Sequence, residues 1–160
     1  MVMEIRGDLT VKAGDRFAVV VAEFNSAITG RLADGAIDAF ERHGAGAKDI
    51  VKVYVPGSLE LATTAQQLAQ SGKFAAIVCL GCVIKGETAH FDHVAQQAAR
   101  AISEIGPATG VPTIFGVLTV DTVEQAMDRA GLKMGNAGWN AACAAIEMAS
   151  VMHKLLPLTK

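Results

Sequence analysis

The chain has 160 residues, the length of one ordinary domain, and 51% of them are hydrophobic. A chain of this size buries about 70% of the surface its unfolded form exposes, enough for a core without disulfide or metal staples. With 14 Lys and Arg against 16 Asp and Glu, and no basic stripe or cationic tail, nothing favours a nucleic-acid partner. The hydrophobic content slightly exceeds the usual range, which points to apolar surface covered by other subunits. The longest apolar run, Phe74 to Ile84, is half a membrane span and suits a buried strand. Glu4, Arg6 and Asp8 stand where a secretory peptide would need an apolar stretch, so a cytoplasmic, soluble protein without a membrane partner is expected. Three cysteines, an odd number, argue against a disulfide framework. Cys79-Leu80-Gly81-Cys82 has redox spacing, but Cys79 lies inside the apolar run, where cysteine behaves as a small hydrophobe.

Along the chain, residues 1–12 are expected to supply an extra edge strand or arm, within the subunit or to a neighbour. Short apolar, β-branched runs follow at Phe17–Val21, Ile50–Val55, Phe74–Leu80 and Thr113–Leu118. Their continuous hydrophobicity suits parallel strands covered on both faces. Helical patterns lie between them. Leu32, Ala36, Ala39, Phe40 and His43 share one face, and Gly44 stops that helix. Leu61, Ala65, Leu68 and Ala69 form a second, with Ser58 as N-cap and Gly72 as the stop. Phe91, Val94, Ala98, Ile102 and Ile105 continue the spacing up to Gly106-Pro107. Asp121 with Glu124 starts a short helix that ends at Gly131, and a last helix carries Trp139, Ala142, Ile146, Ala149 and His153 on one face. Strand–helix units repeated in this way predict one doubly wound α/β domain over 1–160.

Open α/β sheets bind ligands at the carboxyl ends of their strands. Glu23-Phe24-Asn25 follows the first strand, Pro56-Gly57-Ser58-Leu59-Glu60 the second, and Gly81 through His90 the third. Phe115 is expected near the end of the fourth, with Thr119 after it. An aromatic ring, a Gly-Ser pair, a Gly-Glu-Thr turn and a histidine thus gather on one edge, suiting a flat, polar, phosphate-bearing ligand. Each residue also has a plainer reading. Phe24 can pack under a loop, Gly57-Ser58 can be only a turn and a cap, and Gly86-Glu87-Thr88 can be an ordinary helix start rather than a phosphate cradle. His90 could move a proton near neutral pH. Glu87-x-x-His90-x-x-His93 has a spacing that could also gather metal ligands. Arg129 is either a solvated helix end or a phosphate contact. No GxGxxG follows the first strand and no Walker lysine is present, so dinucleotide and nucleoside-triphosphate binding are unsupported. A phosphoacceptor domain would want Asp after the first and third strands, where Glu23 and Gly81 stand.

Taken together, five motifs resemble the lumazine synthase family from about Phe17 to the last helix. They are Phe24-Asn25, Pro56-Gly57-Ser58-x-Glu60, Val83-Ile84-Lys85-Gly86-Glu87-Thr88-x-His90-Phe91-Asp92, Phe115 through Thr119, and Glu124-Gln125-Ala126 through Gly131. The resemblance implies a three-layer, flavodoxin-like fold with a mainly parallel four-stranded sheet and helices on both faces. It implies condensation of 5-amino-6-(ribitylamino)uracil with 3,4-dihydroxy-2-butanone 4-phosphate, with no cofactor and no metal. It casts Phe24, Ser58, Leu59, Glu60, Val83, Ile84 and Phe115 as substrate-binding, Glu87, Thr88 and Arg129 as phosphate-binding, and His90 as the proton shuttle. The partners it implies are the small-molecule substrates and further copies of the chain, in a pentamer or an icosahedral 60-mer. Phe115 and Arg129 would cross between adjacent subunits. The chain departs from the family where a lysine and a glutamate are usual: it has Ala137 and Asn140. Lys133 keeps the pattern of the preceding loop, whose Leu132 and Met134 are apolar. A shell-forming variant, selected or engineered for assembly with weak or no catalysis, is the competing expectation.

Overall fold

The computed structural model describes residues 1–87 and 89–160. Four strands, β1 (Phe17–Ala22), β2 (Ile50–Val55), β3 (Ala76–Ile84) and β4 (Thr113–Val120), form one sheet in the order β2-β1-β3-β4. Every neighbour in that sheet is parallel, with Phe17 opposite Ile50 and Ala76, and Ile77 opposite Thr113. The helices are α1 (Ser26–Arg42), α2 (Leu61–Gln70), α3 (His90–Ser103), α4 (Ile105–Thr109), α5 (Val123–Arg129) and α6 (Ala137–Thr159). A two-stranded hairpin, β5 (Ala130–Leu132) with β6 (Gly135–Asn136), joins α5 to α6. The predicted doubly wound, three-layer α/β architecture is therefore the one observed.

Strand alternation divides the core in two. Phe17, Val19 and Val21 of β1 with Ala76, Val78, Leu80 and Cys82 of β3 face one layer, where they meet Leu32, Ala36 and Phe40 of α1 and Ala142, Ile146 and Ala149 of α6. Ala18, Val20 and Ala22 with Ile77, Cys79 and Val83 face the other, against Leu61 and Ala65 of α2 and Ile102 of α3. Burial on both faces explains why these strands read as unbroken apolar runs.

Several boundaries differ from the sequence reading. The third strand was expected over Phe74–Leu80, but it continues through Gly81 to Ile84, pairing with Val117–Val120. Gly81 survives inside the strand because a Cβ there would stand 2.7 Å from Ser58 Oγ. Ser58 is accordingly no N-cap: it sits buried in a 3-10 turn (Ser58–Glu60) with its hydroxyl against that glycine. The short helix α5 is capped one residue later than expected, by Thr122, whose hydroxyl accepts from the Gln125 N–H at 3.1 Å. It ends at Arg129, before the hairpin takes over. Gly106 and Pro107 do not stop a helix; they lie in the first turn of α4, where a missing N–H costs nothing, and Gly110 at φ 75° ends it. Residues 1–12 add no strand to this sheet. They run along α6, with Asp8 N–H donating to Ser150 Oγ at 3.1 Å and Lys154 Nζ donating to the Arg6 carbonyl at 2.7 Å.

The start of α6 interlocks with α1 through two glycines. Asn136 caps α6 by accepting from Gly138 and Trp139 N–H at 2.8 and 3.1 Å, and its Nδ2 donates to the Arg31 carbonyl. A Cβ at Gly35 would fall on the Asn136 amide, and one at Gly138 on the Leu32 carbonyl oxygen. Alanine normally outperforms glycine in a helix by about 1 kcal/mol. Here the sign reverses: Gly138→Ala should cost roughly 1–3 kcal/mol through overpacking. The urea midpoint measures this, and a midpoint equal to or above the parent's would refute the interlock.

Candidate functional site

The loops leaving the carboxyl ends of β1, β2 and β3 enclose a cavity of about 460 Å³. This is where an open α/β sheet should carry its ligand, because β1 and β3 are the pair at which the strand order reverses. The wall after β1 is Phe24 and Asn25. Backbone bonds tie that loop to β2, from Glu23 N–H to the Val55 carbonyl at 2.7 Å and from Phe24 N–H to the Pro56 carbonyl at 3.0 Å. The Phe24 ring is 72% exposed and lines the cavity. Of its two readings, packing under a loop is excluded and a free stacking face remains.

Pro56 through Glu60 form the second wall. Gly57 is fully extended, and a Cβ there would stand 3.1 Å from Glu60 Oε2. The bare backbone thus lets the Glu60 carboxylate lie close to the turn. The third wall is β3 itself: Cys82, Val83 and Ile84, then Gly86. Helix α3 closes the side with His90, Phe91 and Val94. That helix begins at His90, later than the Gly86-Glu87-Thr88 start expected from sequence. Thr88 lies outside the described residues. Glu87 is exposed and does not line the cavity.

Of the residues singled out from sequence, Phe24, Ser58, Leu59, Glu60, Val83, Ile84 and His90 converge on the cavity. Phe115, Arg129, Lys133, Ala137 and Asn140 do not. Phe115 was expected near the end of its strand but lies early in β4, opposite Cys79. It is 40% exposed on the free outer strand of the sheet. Arg129 ends α5, Lys133 caps the β5–β6 hairpin, and Ala137 and Asn140 open α6. Asn25, Pro56, Cys82, Phe91 and Val94 line the cavity without a substrate role expected from sequence, and so does Gly86 of the expected helix start or phosphate cradle. Phe91 and Val94 were read as the first residues of a core stripe. Their half-exposure, against the burial of Ala98 and Ile102 further along, divides that stripe between cavity and core. Among the described residues no three His, Cys, Asp or Glu side chains come close enough to hold a metal, so the Glu87, His90 and His93 spacing does not become a ligand set.

A family model for 6,7-dimethyl-8-ribityllumazine synthase matches residues 14–153 of the chain. Fold and cavity define an α/β protein with a cavity at the carboxyl ends of its strands. The chain belongs to the lumazine synthase family.

Cys79 and Cys82 sit three residues apart on one strand and face opposite layers of the core, so they cannot bridge. Burial pushes the Cys79 thiol up to about 12 and the Cys82 thiol up to about 11. At pH 8 only about one molecule in a thousand would carry the Cys82 thiolate, and fewer still that of Cys79. An alkylating reagent at that pH should leave both unlabelled until denaturant is added. Native labelling at the rate of a free thiol, located by peptide mass spectrometry, would contradict the burial.

Proposed function

We propose that the chain condenses 5-amino-6-(ribitylamino)uracil with 3,4-dihydroxy-2-butanone 4-phosphate to 6,7-dimethyl-8-ribityllumazine, phosphate and two molecules of water. The observation that carries this reading is the gathering of Phe24, Ser58–Glu60, Val83–Ile84 and His90 around one cavity in a chain of this family. Phe24 offers a ring face to the pyrimidine. The Ser58–Glu60 turn supplies the polar groups for the ribityl chain, and Val83 and Ile84 the apolar floor.

In this reading the 5-amino group attacks the ketone, and water leaves to give an imine. Loss of a carbon-bound proton then expels phosphate. Tautomerisation restores a carbonyl, which the ribityl-bearing nitrogen attacks, and a second water leaves as the ring closes. No electron is gained or lost overall. Each step moves a proton, and His90, at the cavity's edge in the first turn of α3, supplies an imidazole to accept and return one. Most of the acceleration comes from holding two reactive partners together. His90→Ala should therefore lower kcat by about a hundredfold without abolishing the reaction. An unchanged rate in the absorbance assay for the lumazine would remove His90 from the mechanism.

The phosphate points to a second copy of the chain. No Lys or Arg is among the described residues lining the cavity, whereas phosphate recognition favours a cation or a run of free N–H groups. The start of α3 lies at the cavity's edge, where the positive end of a helix favours an anion. Arg129 of a neighbour would supply the charge, and Phe115, exposed on the free strand β4, a further apolar wall. We therefore read the active form as a pentamer with sites between adjacent subunits. The exposed tip of the β5–β6 hairpin, with Leu132 and Met134 at 53% and 63% exposure, favours a second reading, a shell built from such pentamers with weak catalysis. Particle mass measured alongside turnover separates the two. Ala137, half-buried at the first turn of α6, stands where the family usually has a lysine. If its loss weakened phosphate binding, Ala137→Lys should raise kcat/KM by about tenfold, the order of one charge-assisted hydrogen bond. No gain would dismiss the departure as a cause of weak catalysis.

A further inference from the structure

Asn25 is the one non-glycine residue with positive φ among the described residues, at φ 64° and ψ 44°. Side-chain-bearing residues rarely hold this conformation, and it persists where the surrounding structure imposes it, often at functional sites. Asparagine tolerates it better than most residues. At the start of a helix an asparagine ordinarily turns its side-chain oxygen onto the N–H groups of the first turn. Asn25 does not. The N–H groups of Ile28 and Thr29 reach its backbone carbonyl at 2.9 and 3.0 Å, and α1 has no side-chain cap. The side-chain Nδ2 instead donates to the Cys82 carbonyl at 2.8 Å.

That bond has a particular place in the fold. The pairing of β1 with β3 ends at Val21 opposite Leu80. The Asn25–Cys82 bond is a further tie beyond the end of that ladder, crossing the point where the two strands diverge. The remaining ties of the loop, from Glu23 and Phe24 N–H, run the other way to β2. Phe24 precedes Asn25 with its ring largely exposed, and Val83 and Ile84 follow Cys82 on the opposite wall.

We infer that Asn25 is a positioning residue: its bond to the Cys82 carbonyl sets the distance between the Phe24 ring and the Val83–Ile84 floor, and with it the slot for the planar substrate. This rests on the pyrimidine-binding reading of the cavity. A merely structural turn residue would lower stability, or would weaken both substrates alike. A positioning residue weakens the planar substrate alone, and only while Phe24 is present.

Asn25→Gly keeps the left-handed backbone without strain and removes the amide. Asn25→Asp keeps the shape and replaces the donor with an acceptor facing a carbonyl. Both should fold with denaturation midpoints close to the parent's. The KM for the pyrimidine should rise about tenfold in the glycine variant, the order of one lost hydrogen bond, and further in the aspartate variant. The KM for the ketone phosphate should stay within about twofold. In a Phe24→Ala background, Asn25→Gly should add almost nothing further, because the two residues act as one unit. An unchanged pyrimidine KM, equal rises for both substrates, or fully additive losses would each overturn the assignment while leaving the proposed reaction standing. A parent protein that makes no lumazine would overturn the reaction first and this inference with it.

Discussion

Parallel pairing of β1 with β3 obliges the chain to leave these neighbouring strands in different directions, since β1 leads out through α1 and β3 through α3 on the other face of the sheet. Parallel strands cannot be joined by a tight hairpin, so each needs a helical crossover. Where two such crossovers part, a crevice is left at the carboxyl ends of the strands. Every residue that lines the cavity is placed by that divergence. Phe24 and Asn25 border it from one side, Val83 and Ile84 from another, and the turn after β2 closes the gap. The burial of both strands on both faces holds the crevice open. Phe17, Val19 and Val21 look into one core while Ala18, Val20 and Ala22 look into the other, so a one-residue slip would send the larger row into the core packed around Ala18 and Ala22 and leave the other underfilled.

Small residues then set how closely the layers approach. Gly81 gives up a side chain inside a strand, which lets the Ser58 hydroxyl pack against β3 and brings the second loop over the crevice. Gly35 and Gly138 play the same part on the far face, where α1 and the start of α6 meet almost backbone to backbone. The site and the core are thus linked by omission of atoms. A methyl group at 81 would press on a cavity wall, and one at 138 on the helix behind the sheet.

Strand order, crossovers and most of the site were legible because they follow from periodicity and from the rule about strand ends. The unbroken apolar run at Phe17–Val21 and the β-branched run at Ile50–Val55, interrupted only by Lys52, read as strands, and their ends marked where Phe24 and Ser58–Glu60 would meet. What could not be read were features that depend on a partner distant in the chain. Gly81 looks like a strand terminator, and only the Ser58 hydroxyl across the gap explains why the strand runs on to Ile84. Ser58 has the composition of a cap and is packed away instead. Thr122 outcompetes Asp121 as a cap because Gln125 can answer on both sides, its N–H donating to the threonine hydroxyl and its side-chain oxygen accepting from the Asp121 N–H at 2.7 Å. The break between α3 and α4 ahead of Pro107 was likewise hidden, since the apolar spacing continues across it to Ile105.

The residues that miss the cavity are as informative as those that line it. Phe115, Arg129 and Lys133 all stand exposed, on the free strand β4 or just beyond its carboxyl end in α5 and the hairpin. Within one chain none of the three lines the cavity. A second copy, packed with its β4 side against the α3 side of the first, could offer all three at once. The apolar surface left bare, including Met148, Leu156 and Leu158 of α6, is what a chain selected to pack against copies of itself would carry. Among the described residues lining the cavity there are hydrogen-bonding groups and ring faces but no Lys or Arg. If the proposed reaction holds, a phosphate recognised across a subunit boundary would couple catalysis to assembly, because an isolated subunit would lack the charge needed to hold the phosphate-bearing partner.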